Sequence, residues 1–304
     1  MALFYLIMYN FDMLKNLIYF GSSDFSGTIL ESVIESKLVN VVGVVTTPDK
    51  PTGRKLTLTP SPVALLAGKY DLPTYKPEKL DESNLAHLML LKPDIFLVVS
   101  YGKLVHKNYL DAPKIGTFNV HFSLLPKYRG ALCISEAIKN QDKSTGVTLM
   151  EMDEQLDHGP IISQKEVPID INDDTATLTT KLTQAAILLL ADKLPEICAE
   201  TYQKTAQDET KVVFTPSHKT QIRENSFVPF EKILVAQNGV NSPEVHALVR
   251  SLNPEPGAWT TINDIDIKII KTLLSEGKLI LDTVQLPGKS PISWKQFLSG
   301  HPIS

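Results

Sequence analysis

The sequence predicts an α/β chain in which a doubly wound sheet over residues 14–200 is followed by a small OB-like β-barrel domain over 218–304. Three observations predict this. Continuous apolar runs of strand length alternate with amphipathic stretches through the first two-thirds of the chain, as in a parallel sheet covered on both faces. The composition turns polar over 201–217, which reads as a linker. Beyond it, short apolar runs recur between turn signals, the pattern of a small antiparallel barrel of the type used on nucleic acids.

Taken in order, Lys15–Phe20 reads as a buried strand closed by the turn Gly21–Gly27. Asp24 is placed to cap a helix running to about Ser36, with Ile29, Leu30, Val33 and Ile34 on one face. Val39–Thr46 is a second buried strand, so the chain opens as a βαβ unit. Gly21 and Gly27 do not make the G-x-G-x-x-G fingerprint, which argues against a nicotinamide oxidoreductase. The stretch Thr47–Pro62 carries four prolines and a glycine, which forbid a helix or central strand. Its Lys50, Arg54 and Lys55 suit either a solvated loop or one that touches a phosphate backbone.

Ser61 and Pro62 open a helix to about Tyr70, and Asp81–Leu91 makes another. Asp94–Val99 is a strand ended by the turn Ser100–Gly102. The rhythm continues through Ala131–Asn140, Gly146–Met152, Pro160–Val167 and a long helix Thr175–Leu194. In the second domain, Glu244–Ser251 is helical, Asn253–Gly257 is a hard turn, and strands follow at Ala258–Ile262, Ile265–Lys271 and Lys278–Val284.

At 304 residues, two domains are expected. The content of 43% hydrophobic and 21% charged residues is that of a soluble globular protein. Cys133 and Cys198 form neither a metal spacing nor a disulfide framework, so a reduced, cytoplasmic protein without a metal is expected. The apolar first twelve residues are too short to span a bilayer and lack a cleavage site; Met13 stands as an alternative start, and the segment is assigned no function.

The chemistry centres on Thr117–Gly130. Apolar Phe118 and Val120 alternate with polar Asn119 and His121, and Pro126 to Gly130 then turn the chain. The polar pair therefore sits where a strand hands over to a loop, the rim on which open parallel sheets bind ligands. A second loop, Met152–Pro160, brings Asp153, Glu154 and Asp157, and spacing alone does not choose among them. Histidine moves protons near neutral pH, an amide donates to a developing oxyanion, and a carboxylate orients the imidazole. Such a set suits attack on a carbonyl carbon by a nucleophile that belongs to the substrate. No serine or cysteine stands in a nucleophile-elbow context. Read singly, Asn119 also serves to satisfy a strand end and His121 also reads as structural.

Asn119-Val-His121, the run Ser123-Leu-Leu-Pro-Lys-Tyr-Arg-Gly130 and the Met152–Gly159 loop resemble the 10-formyltetrahydrofolate-dependent formyltransferase superfamily. The resemblance implies a Rossmann-like catalytic domain with Asn119, His121 and Asp157 at its three catalytic positions. It implies that Ser123, Leu124, Leu125 and Pro126, with Tyr101 and Gly102, line the folate site. Three further stretches, Val44–Arg54 with Pro60–Val63, Leu248–Ala258 and Val284–Lys289, resemble the branch that acts on methionyl-tRNA. That branch implies initiator methionyl-tRNA and tetrahydrofolate as partners and a monomer without membrane association. It implies tRNA contacts from Lys50, Arg54 and Lys55, and Phe25 in the methionyl pocket.

The chain departs from the pattern at Tyr101–His106, at His158, where a small hydroxyl residue is usual, and in the segment His218–Phe230. From Asp208 onward ten basic residues face ten acidic ones, so bulk charge does not itself favour a polyanion. Two rival readings follow: a formyltransferase acting on a sugar nucleotide or other small amine, and a non-catalytic nucleic-acid-binding protein.

Overall fold

A computed structural model of the chain describes residues 14–53 and 56–303. Arg54, Lys55 and the apolar start of the chain lie outside the described residues. Two compact units share the chain. One consists of the chain up to Pro126 with Gly146–Glu166 and Leu182–Lys211; the other of Lys127–Thr145, Val167–Lys181 and the chain from Val212 onward.

The first unit opens with β1 (Asn16–Gly21), β2 (Asn40–Val45), a hairpin of β3 (Lys50–Thr52) and β4 (Thr57–Thr59), β5 (Thr74–Tyr75), β6 (Ile95–Val99) and β7 (Gly116–His121). After β8 (Lys127–Arg129), the strands β9 (Ser144–Glu151) and β10 (Ile161–Pro168) complete its sheet. The sheet order is β10-β9-β7-β6-β1-β2-β5. β1 pairs parallel with β2 and β6, β6 parallel with β7, and β9 runs antiparallel to β7. The chain winds outward from β1 to β5, then restarts at β6 on the other side of β1. The carboxyl ends of β1 and β6 thus form the switch point at which such sheets bind ligands. The centre of the sheet is dry, with Leu17 to Phe20 and Ile95 to Val99 almost wholly shielded from solvent. That is why these strands read as unbroken apolar runs.

Two expectations need correction. The helix Asp24–Ser36 is capped by Ser23, not Asp24: the Ser23 hydroxyl accepts from Ser26 N at 3.3 Å. A cap must itself be extended and reach the amide three residues on, which places Asp24 in the first turn instead. The helix predicted to end at Leu194 runs from Thr175 to Cys198, through Pro195. The proline removes one backbone bond, but Leu194 and Ile197 are buried and hold the last turn helical. The proline-rich stretch 47–62, read as neither helix nor central strand, contributes the exposed two-stranded β3–β4 hairpin, in which Pro51 lies opposite Leu58.

The second unit pairs β8 in parallel with β11 (Val213–Phe214). Its main sheet is four-stranded, in the order β12 (Trp259–Ile262), β13 (Ile265–Ser275), β14 (Lys278–Gln285) and β15 (Ile292–Ser293), with antiparallel neighbours. Helices Phe230–Gln237 and Ser242–Leu252 bury Ile233, Val245 and Val249 against Ile269 and Leu281. The final helix, Trp294–Gly300, starts at a Ser293/Gln296 capping box, a signal present in the sequence but not read there. No described helix is long and apolar enough to cross a membrane.

Candidate active site

Asn119 and His121 lie two residues apart on β7 and so face the same side of the sheet. The strand register sets Asn119 beside Val98 on β6 and His121 beside Thr148 on β9. His121 is 7% exposed, and the Asn119 Oδ1 atom is buried with no hydrogen-bond partner among the described residues. A buried acceptor without a protein partner is uncommon and fits a rim that receives a polar group from a substrate.

The carboxylate comes from the loop after β9. Asp157 Oδ2 stands 3.7 Å from His121 Nδ1, and both side chains are largely buried. Of the three acids that spacing left open, the other two face elsewhere. Asp153 binds the ring of His158, while Glu154 is exposed and pairs with Lys107 at 3.0 Å. The loop is shaped by its backbone. Asp157 adopts a left-handed conformation at φ 48°, and a Cβ on Gly159 would lie 1.9 Å from the Glu151 carbonyl oxygen. Only glycine allows that approach. Two main-chain bonds anchor the loop at its ends, from Met152 N to Thr117 O and from Glu151 N to Pro160 O, at 2.8 and 3.0 Å.

Ser123 to Pro126 follow His121 after the single residue Phe122. Thr148 Oγ1 donates to Ser123 O at 2.6 Å and accepts from Leu125 N at 3.1 Å. Gln164 Nε2 donates to Leu125 O and to Thr148 Oγ1, both at 2.9 Å. Ser123 and Leu125 are buried, whereas Leu124 and Pro126 are half-buried and available to a ligand. Sequence reasoning missed Thr148 and Gln164; a polar residue inside the apolar run of β9 was the only signal for the former.

At the β1–β6 switch point, Ser22 N donates to Ser100 O at 3.1 Å and Ser22 Oγ to Tyr101 O at 3.2 Å. The Tyr101 ring belongs to the sheet's core, edge-on to Phe20 with centroids 5.6 Å apart. Burial, with a smaller contribution from Tyr109, pushes its phenol up to about 12. Gly102, at φ 82°, turns the chain outward. Phe25 is half-buried and packs edge-on against Phe122, the residue after His121, at 4.8 Å. Lys50 is exposed on the separate β3–β4 hairpin.

A Rossmann-like sheet that carries an amide, an imidazole and a carboxylate on its carboxyl rim defines a group-transfer enzyme. Residues 15–194 match the formyl transferase family, and residues 240–279 match the formyl transferase C-terminal domain. The chain is 39% identical over 264 residues to a methionyl-tRNA formyltransferase of Staphylococcus aureus strain JH1, covering 86% of this chain and 81% of that one. The chain belongs to the formyl transferase family, among the methionyl-tRNA formyltransferases.

Among solved structures, phosphoribosylglycinamide formyltransferase from Bacillus halodurans is similar at a TM-score of 0.53 and 28% identity, over 61% of this chain and 96% of that one. The N-formyltransferase of Helicobacter canadensis, in complex with folinic acid and dTDP-3-aminofucose, shares the fold at a TM-score of 0.64 and 23% identity. It covers 90% of this chain and 95% of that one.

Proposed function

We propose that the protein transfers the formyl group of 10-formyltetrahydrofolate to the α-amine of initiator methionyl-tRNA. The observation that carries this reading is the meeting of Asp157 with His121, 3.7 Å apart, on the strand face that also bears Asn119. The curated relatives at 39% identity carry the same activity in their name, which supports the choice of acceptor.

In this mechanism the neutral amine attacks the formyl carbon, a new C–N bond forms, and the bond from that carbon to the donor nitrogen breaks. Asn119 Nδ2 and His121 donate to the formyl oxygen as negative charge develops on it. Asp157 orients the imidazole and, through water, guides the proton from the amine to the leaving nitrogen. Ser123 to Pro126, held rigid by Thr148 and Gln164, border the donor, and Phe25 borders the methionyl side chain. Lys50, Arg54 and Lys55 contact the tRNA backbone, and the C-terminal unit holds the remainder of the tRNA.

The test is formyl transfer by wild-type protein and the Asp157→Ala variant to charged initiator methionyl-tRNA, with a small amino sugar as the competing acceptor. The reading expects transfer to the charged tRNA and a large loss in the variant. Transfer to the amino sugar alone would keep the site and replace the acceptor.

A further inference from the structure

The polar segment after the long helix is not a plain connector over residues 202–209, because it runs as a strap along the loop that carries Asp157. Tyr202 Oη and Lys204 Nζ both donate to Glu151 Oε2, at 3.2 and 2.7 Å. Thr205 and Ile161 exchange two backbone bonds of 2.8 Å. Glu209 Oε1 lies 3.6 Å from Nε2 of His158, whose Nδ1 meets Asp153. Between these anchors, Gln207 Nε2 donates to Asp157 O at 2.9 Å and to Gly159 O at 2.8 Å.

We infer that Gln207 is a positioning residue, whose carboxamide clamps the Asp157–Gly159 turn and thereby holds the Asp157 carboxylate beside His121. This rests on the reading of Asp157 as a catalytic group. One amide nitrogen has two hydrogens, and both are used on carbonyls that bracket His158 and Gly159. The bond to Asp157 O fixes the peptide that follows the Asp157 Cα. The bond to Gly159 O fixes the far side of the same turn, where Gly159 is already pressed on the Glu151 carbonyl. A non-glycine residue in left-handed backbone persists only where its surroundings over-determine it, and Gln207 supplies two of the restraints. The contacts of His158 brace the same turn from its side chain, so the strap meets the loop at each of residues 157 to 159.

The chemistry of the clamp makes it testable by a near-isosteric change. Gln207→Glu keeps the volume but places carboxylate oxygens where two carbonyl oxygens require donors. Gln207→Met removes the donors without the repulsion, leaves the anchors at Tyr202, Lys204 and Thr205, and serves where the glutamate variant folds poorly. Both variants are compared with wild type for kcat and KM in formyl transfer to methionyl-tRNA, and each is also built on an Asp157→Ala background.

A displacement of order 1 Å at a reacting group costs up to roughly a hundredfold, so kcat is expected to fall about ten- to a hundredfold with KM for both substrates within about twofold. On the Asp157→Ala background the same changes are expected to cost no more than about twofold, because residues acting through one another are not additive. An unchanged kcat, a loss confined to KM, or an equal loss on both backgrounds would overturn the inference while leaving the proposed function standing. Absence of transfer by the wild-type protein would instead overturn the proposed function, and the inference with it.

Discussion

The Asp157 carboxylate stands 3.7 Å from Nδ1 of His121, although 36 positions separate the two residues in the chain. A carboxylate at that distance can orient the imidazole, and water is largely excluded from both. Replacing Asp157 with Asn keeps the shape and removes the charge. We expect kcat to fall by roughly 10²- to 10⁴-fold, the usual worth of a positioned acid–base group, with tRNA affinity nearly unchanged. Steady-state kinetics beside a tRNA binding assay check both parts, and near-normal kcat contradicts the role.

Asn119 offers a different kind of help, a neutral donor that needs no ionisation. Asn119→Ala is expected to lower kcat by about 10²- to 10³-fold, the loss seen when one oxyanion donor is removed. Asn119→Asp should be at least as damaging, because a carboxylate there opposes the developing charge. Single-turnover rates at saturating donor separate this from a binding defect; a raised KM with kcat intact would make Asn119 a binding residue only.

Gly159 is required by space. A methyl group there meets a backbone oxygen at 1.9 Å, and backbone cannot swing aside as a flexible side chain can. Overpacking of this sort costs about 1–3 kcal/mol, and here the shift falls on the Asp157 turn. Gly159→Ala is therefore expected to lower both the melting temperature and kcat, measured by thermal denaturation and the transfer assay. Unchanged kcat would mean that the turn tolerates displacement.

His246 predicts a pH effect in the second unit. It is fully buried, with Nε2 2.8 Å from Ile171 O and Nδ1 2.8 Å from Thr272 Oγ1. The carbonyl needs a donor at Nε2, so the neutral ring with Nδ1 accepting from Thr272 satisfies both contacts. Burial, chiefly, and the nearby Arg250 charge hold its pKa below the usual 6.5, against the opposing effect of the Ile171 bond. Arg250 Nη1 in turn donates to the backbone carbonyl of Asp173 at 2.6 Å.

The unfolded chain then binds more protons than the native one between the depressed value and 6.5. Stability contributed above 6.5 is lost as pH falls through that window. Melting curves from pH 7.5 to 5 should fall more steeply for wild type than for His246→Gln; parallel curves would show that His246 stays unlinked to folding.

The exposed cation at Lys50 should act through phosphate. Lys50→Ala is expected to weaken tRNA binding with little dependence on sequence and to reduce the slope of log affinity against log salt by about one. Titrations at several salt concentrations give the slope, and an unchanged slope removes Lys50 from the tRNA contact.

The sheet was legible because its strands are buried on both faces, so Asn16–Gly21 and Ile95–Val99 show as apolar runs without further information. The pair Asn119 and His121 was legible because alternation on one strand is a local property. Asp157 was not separable from Asp153 and Glu154 by spacing, since the choice depends on a left-handed backbone and on partners distant in sequence. Thr148, Gln164 and Gln207 act by bonding to main-chain carbonyls and amides of other segments, and such bonds leave no periodicity. The 202–209 strap carries polar side chains and therefore had the composition of a linker.

The most direct measurement is formyl transfer from 10-formyltetrahydrofolate to charged initiator methionyl-tRNA, run beside uncharged tRNA and a small amino sugar. The account predicts formylmethionyl-tRNA from the charged tRNA alone, with the product lost when His121 or Asp157 is replaced by alanine. Transfer to the amino sugar in preference to the charged tRNA, or tRNA binding with no transfer at all, would contradict it.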